Sequence, residues 1–173
     1  MRWTCTRAAL ARGYWLVTAL YLVVIADLRP FQFVLIGPSI PFFRKTFGPA
    51  ADGIMTMATW SPHQAKWPRA KPFYEAYKKR FNDEPDYTTS AIVYISCEIV
   101  EQALATAGLD KEKLRATYAS KTFDTISGPI SFKGPRSNLP PLISQIQNGE
   151  IHLLWPPEYA TTTYQPKPDW PKK

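Results

Sequence analysis

The first third of the chain alternates apolar runs with short breaks rich in glycine and proline. Residues 31–36 form a near-continuous apolar run, which is typical of a strand buried on both faces of a parallel sheet. Residues 41–47 then favour a short helix, which Gly48 and Pro49 stop. Residues 53–58 are predicted to form the next strand. This β-α-β order predicts a parallel sheet with a right-handed crossover.

Helical periodicity follows the second strand. A helix over residues 68–81 has aromatic side chains recurring on one face and lysines on the other. A longer helix begins after Thr88 or Thr89, either of which can cap its first turn, and ends at Gly108. Asp110 is then placed to cap another short helix.

The last third of the chain predicts strands and turns. Residues 142–147 and 150–155 are strand-like and flank the Asn-Gly pair at 148–149, which is a strong signal for a two-residue hairpin. In the implied register Ile146 faces Ile151. Prolines are frequent after this hairpin, which predicts an extended tail.

Composition indicates a globular chain of one domain's length. The 173 residues are 45% hydrophobic and 20% charged, enough to bury a core. The net charge is +7, and much of the excess lies at the N-terminus and in residues 66–80. In residues 66–80 the basic side chains are expected on the solvated face of the helix, without groups that would read or stack on bases. Nucleic-acid binding is therefore not expected.

Residues 1–30 form a separate N-terminal segment. Three arginines precede the apolar run 14–26, so residues 1–26 have the pattern of an export signal. The run is shorter than the about 20 residues that span a bilayer. Two alternatives stay open: an uncleaved membrane anchor that extends to Ile36, or the remnant of a truncated domain whose start is not the natural one.

The sequence carries no recognisable catalytic or metal-binding motif, so neither an enzyme nor a cofactor is predicted. Cys5 and Cys97 lack metal-ligand spacing. Cys97 falls among apolar residues at helical spacing, which predicts a buried and inert thiol. His63 and His152 are interpreted as lone, ordinary surface residues.

The order of these pieces resembles the C-terminal half of the type I periplasmic substrate-binding proteins of ABC transporters, the branched-chain amino acid and leucine-binding family. The resemblance covers residues 33–170 and includes Trp60-Ser61-Pro62, residues 127–132 and Leu154-Trp155-Pro156-Pro157. It implies an α/β fold: an incomplete two-lobed periplasmic binding protein of type I. Parallel-sheet lobes would carry flanking helices and a C-terminal β-hairpin.

The resemblance also implies how the chain divides between the lobes. Residues 31–60 and 157–173 would belong to one lobe and residues 63–155 to the other. Most of both sheets would then lie upstream of this sequence. In open α/β sheets, ligands bind outside the carboxyl ends of the strands, which agrees with a cleft between the lobes.

Five residues match positions that line the cleft in the family: Pro38, Ser39, Trp60, Thr89 and Tyr94. Packing in the core or hinge is the alternative for Trp60 and Tyr94. Relatives that bind α-amino acids often carry a carboxylate at the position of Ser39, where it holds the ligand's ammonium group. A neutral hydroxyl there favours a ligand without a free ammonium group, because a buried ammonium without a counter-charge is costly.

The predicted function is that of a solute-binding component, or a truncated fragment of one, in an ABC importer. Its ligand would be a small amino-acid-like molecule or an aromatic or aliphatic carboxylate. Its partners would be ABC permease subunits, and its location the periplasm, with the N-terminal segment as a membrane anchor in one variant. Exposed sheet edges predict self-association. The alternatives are a membrane-tethered sensor module of the same fold and a truncated gene product without independent activity.

Overall fold

The structure is a computed structural model that describes residues 34–35 and 37–168. The predicted export signal or anchor over residues 1–30 and Cys5 lie outside the described residues. Within the described part, no helix combines the length and the apolar character that a membrane crossing requires.

Helices and strands occur in the predicted order. The helices are α1 (Pro41–Phe47), α2 (Ala70–Phe81), α3 (Thr89–Ala107) and α4 (Lys111–Ser120). The strands are β1 (Val34–Leu35), β2 (Met55–Ala58), β3 (Phe123–Thr125), β4 (Gly128–Ile130), β5 (Phe132–Lys133), β6 (Arg136–Ser137), β7 (Leu142–Gln147) and β8 (Glu150–Trp155). Short 3₁₀ segments cover Gly37–Ser39, Gly48–Ala51 and Pro157–Tyr159.

The central sheet has the strand order β1-β2-β7-β8. β1 and β2 are parallel and α1 connects them, which confirms the predicted β-α-β unit. The other two pairings are antiparallel, so the sheet is mixed. β7 and β8 turn at Asn148 and Gly149, both with positive φ, and Ile146 pairs with Ile151 as predicted. Positive φ at both turn residues is what a type I′ hairpin needs.

The helix ends show which capping predictions hold. The carboxylate of Asp110 accepts hydrogen bonds from two backbone amides at the start of α4, as predicted. Gly108 ends α3 with φ 63°. The start of α3 differs from the prediction, because the Asp86 carboxylate, and no threonine hydroxyl, accepts the backbone N–H groups of Thr88 and Thr89 at 2.9 and 3.0 Å. A carboxylate at this end of a helix also compensates the helix dipole.

The chain divides into a sheet part (residues 34–58 and 142–168) and a helical part (residues 61–137). The hairpin 142–155 shares one sheet with β1 and β2. The assignment of residues to two lobes stays a prediction; what the strand pairing shows is that β7 and β8 lie in the same sheet as β1 and β2. β7 completes the backbone hydrogen bonds along β2, which periodicity in the sequence does not reveal.

One continuous core joins the two parts. Its largest buried side chains come from both parts: Trp60, Phe123, Ile126, Leu142, Ile146, Ile151 and Leu153. α3 contributes the face that holds Ala91, Ile95 and Ile99. The opposite face of α3 is also apolar but exposed, and it carries Cys97. The predicted burial of Cys97 is therefore wrong, because helical spacing among apolar residues does not tell which of two apolar faces is covered.

Candidate functional site

The carboxyl ends of the two parallel strands meet at one edge of the sheet. The 3₁₀ segment Gly37–Ser39 follows β1 and packs against β2, and Trp60 lies two residues beyond the end of β2. Pro38 and Ser39 are buried. The edge thus gathers three of the five predicted site residues where open α/β sheets bind ligands.

Hydrogen bonds join this edge to the turn that precedes α3. The backbone N–H of Thr59 donates to the carbonyl of Tyr87 at 3.0 Å. The Thr59 hydroxyl lies 3.2 Å from the same carbonyl and 3.0 Å from the carbonyl of Thr88. In return the Thr88 hydroxyl donates to the carbonyl of Met57 at 3.2 Å. Thr89 directly follows Thr88 in the chain and so lies next to this contact. Its own hydroxyl donates to the Asp86 carboxylate.

Trp60 is fully buried at the centre of an aromatic cluster. Its ring lies 5.4 Å from Phe73 and 5.4 Å from Tyr87 in edge-on geometry, and 6.5 Å from Tyr74. The ring of Trp60 therefore packs in the core, as in the alternative interpretation of this residue. Its indole N–H has no acceptor among the residues that the structure describes. A buried donor without an acceptor costs free energy, so this group is where an oxygen atom of a ligand or a water would be stabilised.

Tyr94 and Thr89 lie along a different surface, a groove between α2 and α3. Tyr94 is 43% exposed and its ring centroid lies 4.5 Å from that of Phe73. The groove has a volume of about 840 Å³ and a largely apolar lining, to which Tyr77, Phe81, Val93 and Cys97 also contribute. Pro38, Ser39 and Trp60 are not part of its lining. The predicted residues therefore form two groups, and their role in binding stays a prediction.

Arg44 connects the sheet part to the helical part and was not predicted. Its guanidinium donates to the Glu84 carboxylate at 2.6 Å and to the carbonyl of Gly149 at 3.0 Å. It also lies 5.8 Å from the ring centroid of Tyr87. The only signal in the sequence is a basic residue within the otherwise apolar start of a short helix.

Burial and charge shift the pKa values around Arg44. Burial alone would raise the pKa of Glu84, but the hydrogen bond and positive charge of Arg44 outweigh it and hold that pKa below its ordinary value. Burial, aided by the negative charge of Glu84, raises the pKa of the Tyr74 hydroxyl. Burial likewise raises the pKa of Tyr87. Both tyrosines thus stay protonated at neutral pH and can donate hydrogen bonds.

The two histidines are neighbours, which corrects their interpretation as lone residues. Their rings stack with centroids 5.1 Å apart, because the loop after Trp60 folds back over β8. Glu150 Oε2 lies 3.9 Å from Nε2 of His63 and 3.6 Å from Nε2 of His152. Burial, together with the charge of His63, lowers the pKa of His152. No cluster in the described part of the chain has a geometry that could hold a metal ion.

A buried carboxylate lies on the inner side of α3. Glu98 forms a salt bridge with Arg69, and its other oxygen accepts the backbone N–H of Ile126 at 2.9 Å. Arg69 also contacts the exposed Asp124 carboxylate at 3.1 Å. Burial by itself lowers the pKa of Arg69, but the two carboxylates outweigh it and raise that pKa, so the guanidinium keeps its charge. The cluster ties α3 to the β3–β4 hairpin and lies at the groove through Arg69.

Solved structures of solute-binding proteins share this fold. A leucine-binding protein LivK from Thermotoga maritima superposes with a TM-score of 0.59 at 23% identity, over 71% of this chain and 36% of its own. A putative branched-chain amino acid ABC transporter protein from Silicibacter pomeroyi has a TM-score of 0.63 at 18% identity, over 87% and 44%. A solute-binding protein from Rhodopseudomonas palustris BisB5 has a TM-score of 0.54 at 22% identity, over 76% and 45%.

The chain therefore spans 36% to 45% of the length of these proteins and holds part of the type I periplasmic binding protein fold. The family model for periplasmic binding proteins matches residues 27–140, which is more than half of the chain. This family consists of solute-binding proteins of ABC transporters and is not a family of enzymes. The chain belongs to the periplasmic binding protein family.

Proposed function

We propose that this chain serves as a solute-binding component, or part of one, of an ABC importer in the periplasm. The proposed ligand is an aromatic or aliphatic carboxylate or an amino-acid-like molecule, bound between the sheet part and the helical part. The observation that carries the proposal is the buried indole N–H of Trp60, which has no acceptor among the described residues.

The surroundings of Trp60 favour a ligand with an oxygen acceptor and an apolar body. A carboxylate oxygen would accept from the indole, and hydrogen bonds with a charged partner contribute about 1.5–3 kcal/mol. The aromatic rings of Phe73, Tyr74 and Tyr87 around the indole suit an apolar or aromatic body. Ser39 at the same edge is buried and neutral, which supports a ligand without an ammonium group.

The ligands of similar structures span the same chemical classes. The Rhodopseudomonas palustris BisB5 protein was solved with 3,4-dihydroxybenzoic acid, and another R. palustris solute-binding protein with benzoate. LivJ from Streptococcus pneumoniae was solved with isoleucine. At identities of 17% to 22% these names support the class of solute and do not choose among its members.

The proposal also includes protein partners and attachment to the membrane. ABC permease subunits are the partners that the family implies. Among the described residues β1 and β8 are the outer strands of the sheet. The tail covers part of the β8 edge, because the backbone of Leu153 bonds to Thr161, so the proposed self-association would use the rest of these edges. Anchoring to the membrane through residues 1–30 and a tethered sensor role would use the same binding site.

The test is a titration followed at the indole protons by nuclear magnetic resonance. The chain has six tryptophans, and a Trp60→Phe variant assigns the Trp60 signal by its disappearance. We expect benzoate and 4-methylpentanoate to move the Trp60 indole proton downfield, while the signal of Trp67, also buried, stays in place. Leucine compared with 4-methylpentanoate tests the role of the ammonium group.

Two outcomes would count against the proposal. If none of these solutes moves the Trp60 signal at millimolar concentration, the indole is not a ligand donor. If leucine moves it at lower concentration than 4-methylpentanoate does, the preference for a solute without ammonium is wrong.

A further inference from the structure

We infer that Arg44 is a positioning residue: its salt bridge with Glu84 holds the helical part against the sheet part and so controls access to the indole of Trp60. The inference rests on the proposed function in taking Trp60 as the binding site. The salt bridge itself does not depend on that proposal.

The guanidinium of Arg44 joins three segments that are distant in sequence. Its side chain is only 11% exposed, and its two terminal nitrogens reach Glu84 of the helical part and the carbonyl of Gly149 in the hairpin turn. A planar guanidinium with a fixed fork of donors sets the relative position of its acceptors more narrowly than a lysine ammonium would.

A second ion pair repeats the contact one residue further along. Lys45 donates to the Asp83 carboxylate at 2.7 Å, so consecutive residues of α1 pair with consecutive residues of the turn after α2. This pair is exposed and contributes little by itself. Together with the Arg44–Glu84 salt bridge it fixes the position of α1 along that turn.

The salt bridge joins the same two regions that meet at the candidate site, which are the sheet edge and the turn before α3. α1 begins just after Ser39, and Glu84 lies shortly before the turn whose Tyr87 carbonyl binds the Thr59 amide. A partly buried ion pair is weak evidence for overall stability, because removing the two charges from water offsets much of their attraction. We therefore assign to this salt bridge the role of aligning the sheet edge with the turn before α3.

The side chain of Trp60 has no exposed surface, so a solute can reach its indole only after a local opening. The inferred opening separates the two parts at this edge. Separation at this edge breaks the hydrogen bond from the Thr59 amide to Tyr87 and both ion pairs. A weaker salt bridge therefore predicts more frequent opening at Thr59, with the sheet itself unchanged.

Amide hydrogen exchange measures this opening without any solute. The reporter is the Thr59 amide, which donates to Tyr87 at 3.0 Å, and the internal control is the Ile146 amide, which donates to Ile54 within the sheet, also at 3.0 Å. The variants are Arg44→Met and Glu84→Gln, which keep most of the side-chain volume. Lys113→Met, which removes an exposed pair with Asp110, is the matched control.

We expect Arg44→Met and Glu84→Gln each to speed exchange at Thr59 about tenfold, since local opening and global unfolding have separate free energies. In both variants, exchange at Ile146 should stay at the wild-type rate. In Lys113→Met, exchange at Thr59 should stay at the wild-type rate as well. Arg44→Lys should recover part of the protection, because a lysine can pair with Glu84 but lacks the second nitrogen with which Arg44 reaches the Gly149 carbonyl.

Equal acceleration at Thr59 and Ile146 would mean that Arg44 only stabilises the fold, and the inference would be overturned. Unchanged exchange at Thr59 in both variants would overturn it as well. Because no solute is present, a positive result stands even if the solute titration fails, so the two proposals fail separately.

Discussion

Glu98 offers the sharpest test of the packing between α3 and the β3–β4 hairpin. Its carboxylate is buried, accepts the Ile126 amide at 2.9 Å and forms a salt bridge with Arg69. Ile126 is itself 1% exposed, so its amide depends on this acceptor in the folded chain. Glu98→Ala is the perturbation, because it removes both contacts and leaves a space beneath α3.

The expected loss follows from three contributions. A buried amide left without an acceptor costs about 1–3 kcal/mol. The lost ion pair adds about 0–1 kcal/mol, because Arg69 is 43% exposed and water can solvate its charge. The one lost methylene group adds about 1 kcal/mol. The free energy of unfolding should therefore fall by roughly 2–5 kcal/mol, which corresponds to a decrease in Tm of about 4–20 °C for a chain of this size.

Thermal unfolding and urea titration of two control variants complete the test. Glu98→Gln keeps an oxygen for Ile126 and should lose less than half as much. Asp124→Ala removes only the exposed partner of Arg69 and should change unfolding by less than about 1 kcal/mol. A Glu98→Ala protein within 0.5 kcal/mol of wild type, or no less stable than Asp124→Ala, would show that the carboxylate is not part of the packing as described.

Three further predictions concern other parts of the molecule. The pKa of Glu84 is lowered, since Arg44 outweighs burial, so its stabilising contribution is present above the unfolded pKa and lost as pH falls through the folded value. Urea unfolding of Glu84→Gln should then depend less on pH between about 5 and 3 than that of wild type. Cys97 should react with a maleimide under native conditions in a variant without the other cysteine, and protection until unfolding would contradict its exposure. Gly53→Ala should release the tail, because φ is +82° and the added Cβ would lie 2.5 Å from Cα of Lys167; unchanged resistance of the tail to proteases would contradict this.

Local features of the fold were predictable because each depends on a few neighbouring residues. An Asn-Gly pair supplies the two positive φ values of a type I′ turn, and this turn sets the register of Ile146 with Ile151. Asp110 caps α4 through amides only two and three residues away. The prediction that Thr88 or Thr89 caps α3 was wrong, because Asp86, two residues upstream of Thr88, takes the capping role.

The candidate site was predictable only in part. The carboxyl ends of β1 and β2 indicated Ser39 and Trp60, and the structure brings these ends to one edge. Nothing in the sequence separated the buried Trp60 from Tyr94, which lies on an open groove. Arg44, Glu84 and the neighbouring histidines were missed, because their partners lie tens of residues away in the chain.

The sequence by itself determined the order of helices and strands, the hairpin and its register, and the family, since periodicity, turn residues and caps act over a few positions. Only the tertiary structure decided which apolar face of α3 is covered and which sheet the hairpin 142–155 joins. It also decided which buried donor at the sheet edge has no acceptor in the described chain. The physical reason is that burial and hydrogen-bond partners depend on contacts between distant segments, which a linear pattern of apolar and polar residues does not specify.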